Sequence, residues 1–197
     1  MTPHHLHAVA AAWSLQAALA QLEQRAKDAI ADAVHGDRDG DVPLHSPAWG
    51  RRTALGGHGD PTANHALGAW APQRPDPYAA ALGDILRTLD PIAGLLPGAP
   101  GMDPVTRIRH AVPQMSALAA ERTAAALRRL DESARRTLRT GPARQPLTGI
   151  ACPAPGCGQR RLEVTTAGPE DARAVACAAC DGIWPRAAVL GAVGGAR

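Results

Sequence analysis

Apolar positions in the first part of the chain recur at three- and four-residue steps. Val9, Ala12, Leu15, Leu19, Leu22, Ala26, Ala29, Ile30 and Ala33 make one stripe, and Gln16, Glu23, Arg25, Lys27 and Asp28 fall mainly off it. The spacing predicts a long amphipathic helix over residues 3–35 that needs a partner surface. A second stripe runs through Met115, Leu118, Ala119, Thr123, Ala126, Leu127, Leu130, Ala134 and Leu138. It predicts a helix from about Gln114 to Arg139, stopped by Thr140, Gly141 and Pro142. In between, "HGDRDGDVPLHSPAWGRRTALGGHGDP" breaks any period and reads as a long Gly/Asp/Pro/His loop at about 36–60.

Three Asp-Pro pairs punctuate the middle of the chain. Asp60-Pro61, Asp76-Pro77 and Asp103-Pro104 each place an N-cap before a proline at the first helical position. They predict short helices over "PTANHALGAW", "PYAAALGDILRTL" and "VTRIRHAV", with Asp90-Pro91 interrupting the second before "IAGLL". Past residue 140 the pattern changes. Residues 141–149 read as a linker, after which "RRLEV" and "ARAVA" alternate like strands around the turn "TAGPED", and "GIWP" supplies a third short strand. The fold class expected is a mainly α N-terminal helical domain over 1–140 plus a small C-terminal β unit over 150–190, with 191–197 as a tail.

Composition narrows this picture. With 45% hydrophobic and 20% charged residues, the chain is neither disordered throughout nor membrane-embedded. It has no Phe and a single Tyr, Tyr78, so its core must come from Ala, Leu and Val, which favours helices. No apolar run approaches the roughly 20 residues that cross a bilayer. The opening segment carries no Lys or Arg before its apolar part, so no signal peptide and no membrane association are expected. A cytoplasmic location follows, where thiols stay reduced and close pairs are more often metal ligands than disulfides.

The formal net charge is +3, carried by arginines and the lone lysine Lys27, the usage of a high-GC coding sequence. Its distribution is more informative: −3 over residues 1–100, +5 over 101–144 and +1 over 145–197. At 100° per residue, Arg122, Arg129 and Arg136 fall close together on the last long helix, and Arg128, Arg135 and Arg139 make a neighbouring row. Both rows read as lying opposite the Leu127/Leu130/Leu138 side, a basic strip able to follow a phosphate backbone. Glu121 and Glu132 sit within it, with Glu132 spaced to pair with Arg136 and Arg128, so a solvated, salt-bridged face is the competing reading.

All four cysteines lie in "ACPAPGCGQRRLEV" and "AVACAACDGIW". Cys152 and Cys157 are C-x4-C with Pro and Gly between them; Cys177 and Cys180 are C-x2-C followed by Asp181-Gly182. Tight turns of this kind aim two thiolates from one loop at the same ion. Two such knuckles can close a tetrahedral site for one Zn²⁺ at about 2.3 Å from each sulfur. Disulfides or buried free thiols are the alternative. Four thiolates leave no open position for water, and no His-x-Glu partner accompanies them, so the expected metal is structural rather than catalytic. The ribbon should then depend on it to fold.

Residues 150–190 thus resemble the zinc ribbon family, a small antiparallel sheet clamped by two knuckles; the first knuckle is two residues longer than the commonest form. The resemblance implies a role near nucleic acid or a polymerase subunit. In this sequence Arg160, Arg161, Arg173 and Arg186 are the candidate phosphate contacts, with Trp184 as a stacking surface. Against that, Glu163, Glu170, Asp171 and Asp181 nearly cancel those arginines, and a four-thiolate zinc adds about two negative charges. Trp184 is expected to pack over the metal site.

Other motifs are thin. His4, His5, His7, His58 and His65 fix no third ligand for a second metal. No nucleophile elbow, phosphate loop, dinucleotide fingerprint or kinase signature occurs, and a hydrolase built on His58, Asp60 and His65 has no pocket to point to. The whole chain also resembles a loose group of small actinobacterial phage and prophage proteins. The shared features are the "GGHGDPTANHAL" segment, an Arg-rich final helix and the C-x2-C-x3-W of Cys177, Cys180 and Trp184; they imply a phage-encoded, DNA-associated or regulatory protein. The function expected is non-enzymatic action in nucleic-acid transactions, the ribbon giving a rigid recognition edge and Arg122, Arg128, Arg129, Arg135, Arg136, Arg160 and Arg161 the phosphate contacts. The alternative is an adaptor whose ribbon docks on a polymerase or host factor, or whose Ala/Leu helices pair as a homodimer.

Overall fold

The computed structural model describes residues 2–39, 76–99 and 101–194. The Gly/Asp/Pro/His segment from residue 40 onward, the helix expected at Asp60-Pro61, and His58 and His65 lie outside them. Among the described residues, five helices and four strands follow in order: α1 (Pro3–Asp39), α2 (Pro77–Gly94), α3 (Pro104–Ala111) with a 3-10 turn at Val112–Gln114, α4 (Ala117–Leu138), β1 (Arg144–Leu147), β2 (Leu162–Thr165), β3 (Ala174–Cys177), β4 (Ile183–Pro185) and α5 (Arg186–Gly194). The chain is therefore helical in its N-terminal part, with a small four-stranded antiparallel sheet carrying the cysteines at its C-terminal end.

The Asp-Pro starts behave as their chemistry dictates. Asp76 accepts from the Ala79 N–H at 2.9 Å, and Asp103 accepts from Val105 and Thr106 at 3.1 Å, satisfying donors that the helix itself leaves free. Ser116 caps α4 through the Ala119 N–H. Asp90-Pro91, by contrast, does not interrupt α2. The helix runs through Pro91 to Gly94, because Ile85, Leu89 and Ala93 are anchored in the core on either side of it and the missing N–H removes only one bond.

α1 and α4 make the principal packing surface. Contacts advance in the same direction along both: His5 donates from Nε2 to the Met115 carbonyl, Ser14 meets Asp131 and Arg135, and Gln21–Asp28 lie beside Leu138 and Thr140. The face of α4 turned inward keeps Leu127 and Ala134 of the expected stripe, with Leu130 and Leu138 packed against the core, but is shifted from the rest of it. Ala120, Ala124, Leu127 and Ala134 are buried, while Leu118 is 56% exposed. Small residues on α4 meet Ala8, Ala11, Ala12 and Ala18 of α1, and alanine on both sides lets the backbones approach closely. Leu15, Leu22, Leu89, Ile108 and Leu127 fill the remaining core. Over residues 27–32, α1 leaves this core, and Ile30, expected on the apolar stripe, is 62% exposed.

Residues 141–149, expected as a linker, instead contain β1, which pairs with β2 from Arg144 opposite Thr165 to Leu147 opposite Leu162. The sheet order is β1-β2-β3-β4. The three strands expected from "RRLEV", "ARAVA" and "GIWP" are β2, β3 and β4. Residues 191–194 of the expected tail continue α5.

The sheet is also not a free-standing appendage. Side chains alternate across it. Leu162, Val164, Val175, Cys177 and Trp184 share a face with Cys152 and Val189 of α5, while Ala174, Ala176 and Ile183 on the other face pack against Leu6 and Ala10 of α1. The N-terminal half of α1 is thus covered on one side by helices and on another by the sheet.

Candidate metal centre

The two knuckles are closed by backbone hydrogen bonds before any metal is considered. In the first, Cys152 N–H donates to the Gln159 carbonyl at 2.8 Å and Cys157 N–H to Ala154 at 3.1 Å. In the second, Cys177 N–H donates to Gly182 at 2.9 Å and Asp181 N–H returns to Cys177 at 3.0 Å. Asp181 adopts φ +54°, a left-handed turn position that Asp accepts more readily than most residues. The second knuckle is continuous with β3, since Cys177 ends that strand opposite Leu162.

These turns bring four sulfurs together. The Sγ atoms of Cys152, Cys157, Cys177 and Cys180 lie within 4.8 Å of one another, close enough to bind one metal ion. Across the knuckles, Cys152 Sγ is 3.7 Å from Cys180 Sγ, and Cys157 Sγ is 3.9 Å from Cys177 Sγ. A regular tetrahedron with metal–sulfur bonds near 2.3 Å has edges of about 3.8 Å, so these two cross-knuckle pairs already stand at the separation such an ion requires. All four are free thiols.

The electrostatics of the cage favour a cation. Ala154 N–H donates to Cys152 Sγ and Ala179 N–H to Cys177 Sγ, each at 3.4 Å. The amides of Ala179 and Cys180 pull the Cys177 thiol down to about 7. Burial pushes Cys152 up to about 12, with only the Ala154 amide opposing it. Crowding four sulfurs into one cage disfavours several thiolates unless a positive ion compensates them, and a bound divalent metal deprotonates its thiols outright. Cys152 and Cys177 are buried, Cys157 is half-buried and Cys180 is exposed.

Trp184 supports the cage from the side. It pairs with Val175 across β3 and β4 and joins the cluster containing Cys152 and Cys177, as expected from the sequence. Its ring occupies the space that a Cβ on Gly182 would need, with Cζ2 2.8 Å from that position.

The arginines are placed less uniformly than the two-row reading implied. Arg122, Arg128, Arg129 and Arg136 are exposed, as are Arg160 and Arg161 beside the first knuckle. Arg135 is not available to a partner: it is 8% exposed, donates from Nε to Asp131 at 2.9 and 3.0 Å, and reaches Gly141 O and Ser14 Oγ. The reason is angular. Eight residues separate Arg135 from Leu127, about 80° around the helix, so its row flanks the buried face rather than opposing it. The pairing expected for Glu132 is absent among the described residues; Arg136 Nε bonds instead to the Glu132 carbonyl at 3.3 Å.

Several residues that position the sheet carried no metal-site signature in the sequence. His7 is half-buried against the Asp181 carbonyl of the second knuckle, and burial, followed by the Arg128 guanidinium, holds its imidazole below the ordinary value. Trp13 abuts Gly168, where a Cβ would lie 2.7 Å from its Cγ, and Arg109 stacks 3.7 Å from the indole centroid. The alternation of Ala174, Ala176 and Ile183 was the available signal, since it gives the sheet a second apolar face that a solvated ribbon would not need. His5 is structural, accepting at Nδ1 from the Thr2 hydroxyl at 2.6 Å.

Among the described residues no helix is long and apolar enough to cross a membrane. No family model, curated protein or solved structure matches this chain.

Proposed function

We propose that the four thiols hold one structural Zn²⁺ in a zinc ribbon and that the protein acts without catalysis in nucleic-acid transactions, contacting phosphate mainly through α4. The donor set supports zinc: a tetrahedral cage of four soft thiolates suits Zn²⁺ and leaves no coordination position for a reacting water. Cys152, Cys157, Cys177 and Cys180 are the ligands.

The observation that carries the nucleic-acid reading is the row Arg122, Arg129 and Arg136. All three are exposed, they recur every seven residues, about 10.5 Å along the axis, and none forms an ion pair among the described residues. Arg128 flanks the row on the side of His7 and the second knuckle. Arg160 and Arg161 add exposed charge on the ribbon, whereas Arg173 and Arg186 are engaged by Glu170.

The ribbon's contribution is support rather than a recognition edge. Thr166 N–H donates to the Ala143 carbonyl, which fixes the alternation of β1 so that Arg144 and Pro146 turn their backbone outward. The Arg144 N–H is already spent on Pro142 O, and Pro146 has none. Strand β4 ends at Pro185. Sheet edges without a row of free donors do not accept an added strand.

Zinc per chain by mass spectrometry, followed by fluorescence anisotropy with random duplex at two salt concentrations, tests the reading. One zinc per chain and binding that weakens steeply with salt are expected, with Arg129→Glu/Arg136→Glu abolishing it. Binding unaltered in that variant removes α4 from the interface.

A second reading rests on a different observation. Pro91, Ile92, Leu95, Leu96, Met115, Ala119 and Thr123 line an apolar groove of about 440 Å³, and Leu95 is 88% exposed. A protein-interaction adaptor would use such a surface. Its association would be nearly independent of salt and lost in Leu95→Asp.

A further inference from the structure

Strands β3 and β4 each serve two cores. On β3, Val175 and Cys177 belong to the cluster around the cysteines, while Ala174 and Ala176 face α1. On β4, Trp184 belongs to the first and Ile183 to the second. The register joining the strands is set at the knuckle itself, where Cys177 N–H meets the Gly182 carbonyl and Ile183 then falls opposite Ala176. Whatever holds Cys177 and Cys180 in their turn therefore also aligns the surface that covers Leu6 and Ala10.

The seam extends beyond those residues. Gly168, in the turn between β2 and β3 with φ +85°, lets the chain lie flush on Trp13; a side chain there would collide with the indole. Arg109 of α3 covers Trp13 and donates to Gln16 at 2.7 Å, tying the helices to the same ring. Ala10 is buried in the cluster with Ala174 and Ile183, not in the helical core.

We infer that the metal-loaded ribbon is a clasp on the helical bundle: the metal holds the sheet face that covers Leu6, Ala10 and Trp13, and its removal opens this seam and loosens the first turns of α1, before Leu15. The inference rests on the metal-centre reading above. The remainder of α1 stays in place because Leu15, Ala18 and Leu22 pack on helices alone. The released face is apolar, so loss of metal is read out at a helix from the opposite end of the chain. The protein thereby presents different surfaces with and without the ion.

Hydrogen exchange on the full chain, zinc-loaded and after EDTA under reducing conditions, tests the clasp. Amides over 162–185 and over 7–14 should both exchange at least about tenfold faster without metal, with 85–93 of α2 unchanged. Faster exchange over 162–185 with 7–14 unaffected overturns the clasp and leaves the metal centre standing. Zinc removed with 162–185 still protected refutes the metal-centre reading, and the clasp falls with it. Ala10→Glu separates the two without touching a ligand. It should keep one zinc per chain and a protected sheet interior while 7–14 opens by a similar factor; unchanged exchange over 7–14 in this variant also overturns the proposal.

Discussion

In the helical bundle, Leu15, Leu22, Leu89, Ile108 and Leu127 are each at most 1% exposed, whereas the ribbon buries Leu162, Val164, Val175 and Val189 beside two of its own cysteines. Each fully buried aliphatic side chain contributes about 1.5–3 kcal/mol, so the bundle draws on a repeated small gain. The ribbon has strands of three or four residues and long turns to order at roughly 1.5 kcal/mol per residue, which its small cluster does not offset. On the proposed reading, one region is held by many weak contacts and the other by one metal centre. Removing a single interaction should therefore have very different consequences in the two.

The largest effect is expected at the cage. Zinc-finger peptides gain about 10–16 kcal/mol from their metal, more than the whole stability of most small domains. Cys177→Ser removes a ligand that also ends β3 and is 1% exposed. Zinc content should fall below one equivalent and the strand signal in far-UV circular dichroism should disappear, while most helical signal persists. A Cys177→Ser chain that keeps both a full equivalent of zinc and its sheet would show that the ribbon needs no ion.

Within the bundle the sharpest test is electrostatic. Asp131 accepts from Ser14 Oγ at 2.8 Å and from Arg135 Nε, and the side chains of the ion pair are only 13% and 10% exposed. Asp131→Ala leaves a largely buried guanidinium without its anion and should cost about 3 kcal/mol, within the range for breaking a buried pair. Arg129→Ala, on the exposed face of the same helix, should change stability by no more than about 0.5 kcal/mol. Urea unfolding of both variants decides it. Equal losses would mean that Arg135 is no more integral to the fold than the solvent-facing row, and would return it to the set available to phosphate.

These contrasts explain what the sequence made legible. The cysteine spacing points to the four sulfurs that cluster because knuckle geometry is local, fixed within turns of four to six residues. The Asp-Pro starts at 76 and 103 were equally local, since the cap bonds span two or three residues. Errors arose where the answer lay across the chain. Pro91 looked like a stop because only tertiary anchoring at Leu89 and Ala93 carries the helix past it. "RQPL" has no alternation of its own and becomes β1 only by pairing with Leu162–Thr165. The stripe on α4 holds at Leu127 and Ala134 but fails at Leu118, which outweighs Ala120 and Ala124 in any hydropathy pattern although the smaller residues are the buried ones. Spacing alone groups Arg135 with the exposed arginines, because its partner Ser14 stands 121 positions away.

The smallest predicted effect lies where the two regions meet. His7 is held below its ordinary value of 6.5, first by burial and then by Arg128 and His4, with the Asp181 carbonyl and carboxylate pulling the other way. A depressed histidine is bound as its neutral form in the folded chain. Below pH 6.5 the unfolded chain therefore takes up more protons than the folded one, so stability from this group is complete above 6.5 and declines as the pH falls toward the folded value. Acid also displaces metal from thiolates, which would move the melting temperature whatever His7 does. His7→Gln isolates the contribution, because metal loss acts on both proteins while only the parent carries the imidazole. Going from pH 7.5 to 5.5, the parent's Tm should drop relative to the variant's by roughly 2 °C, the shift expected for a modest free-energy change in a chain of this size. A Tm difference that is the same at both pH values would place the His7 ring outside the packed seam and make Leu6, Ala10 and Trp13 its whole extent on α1.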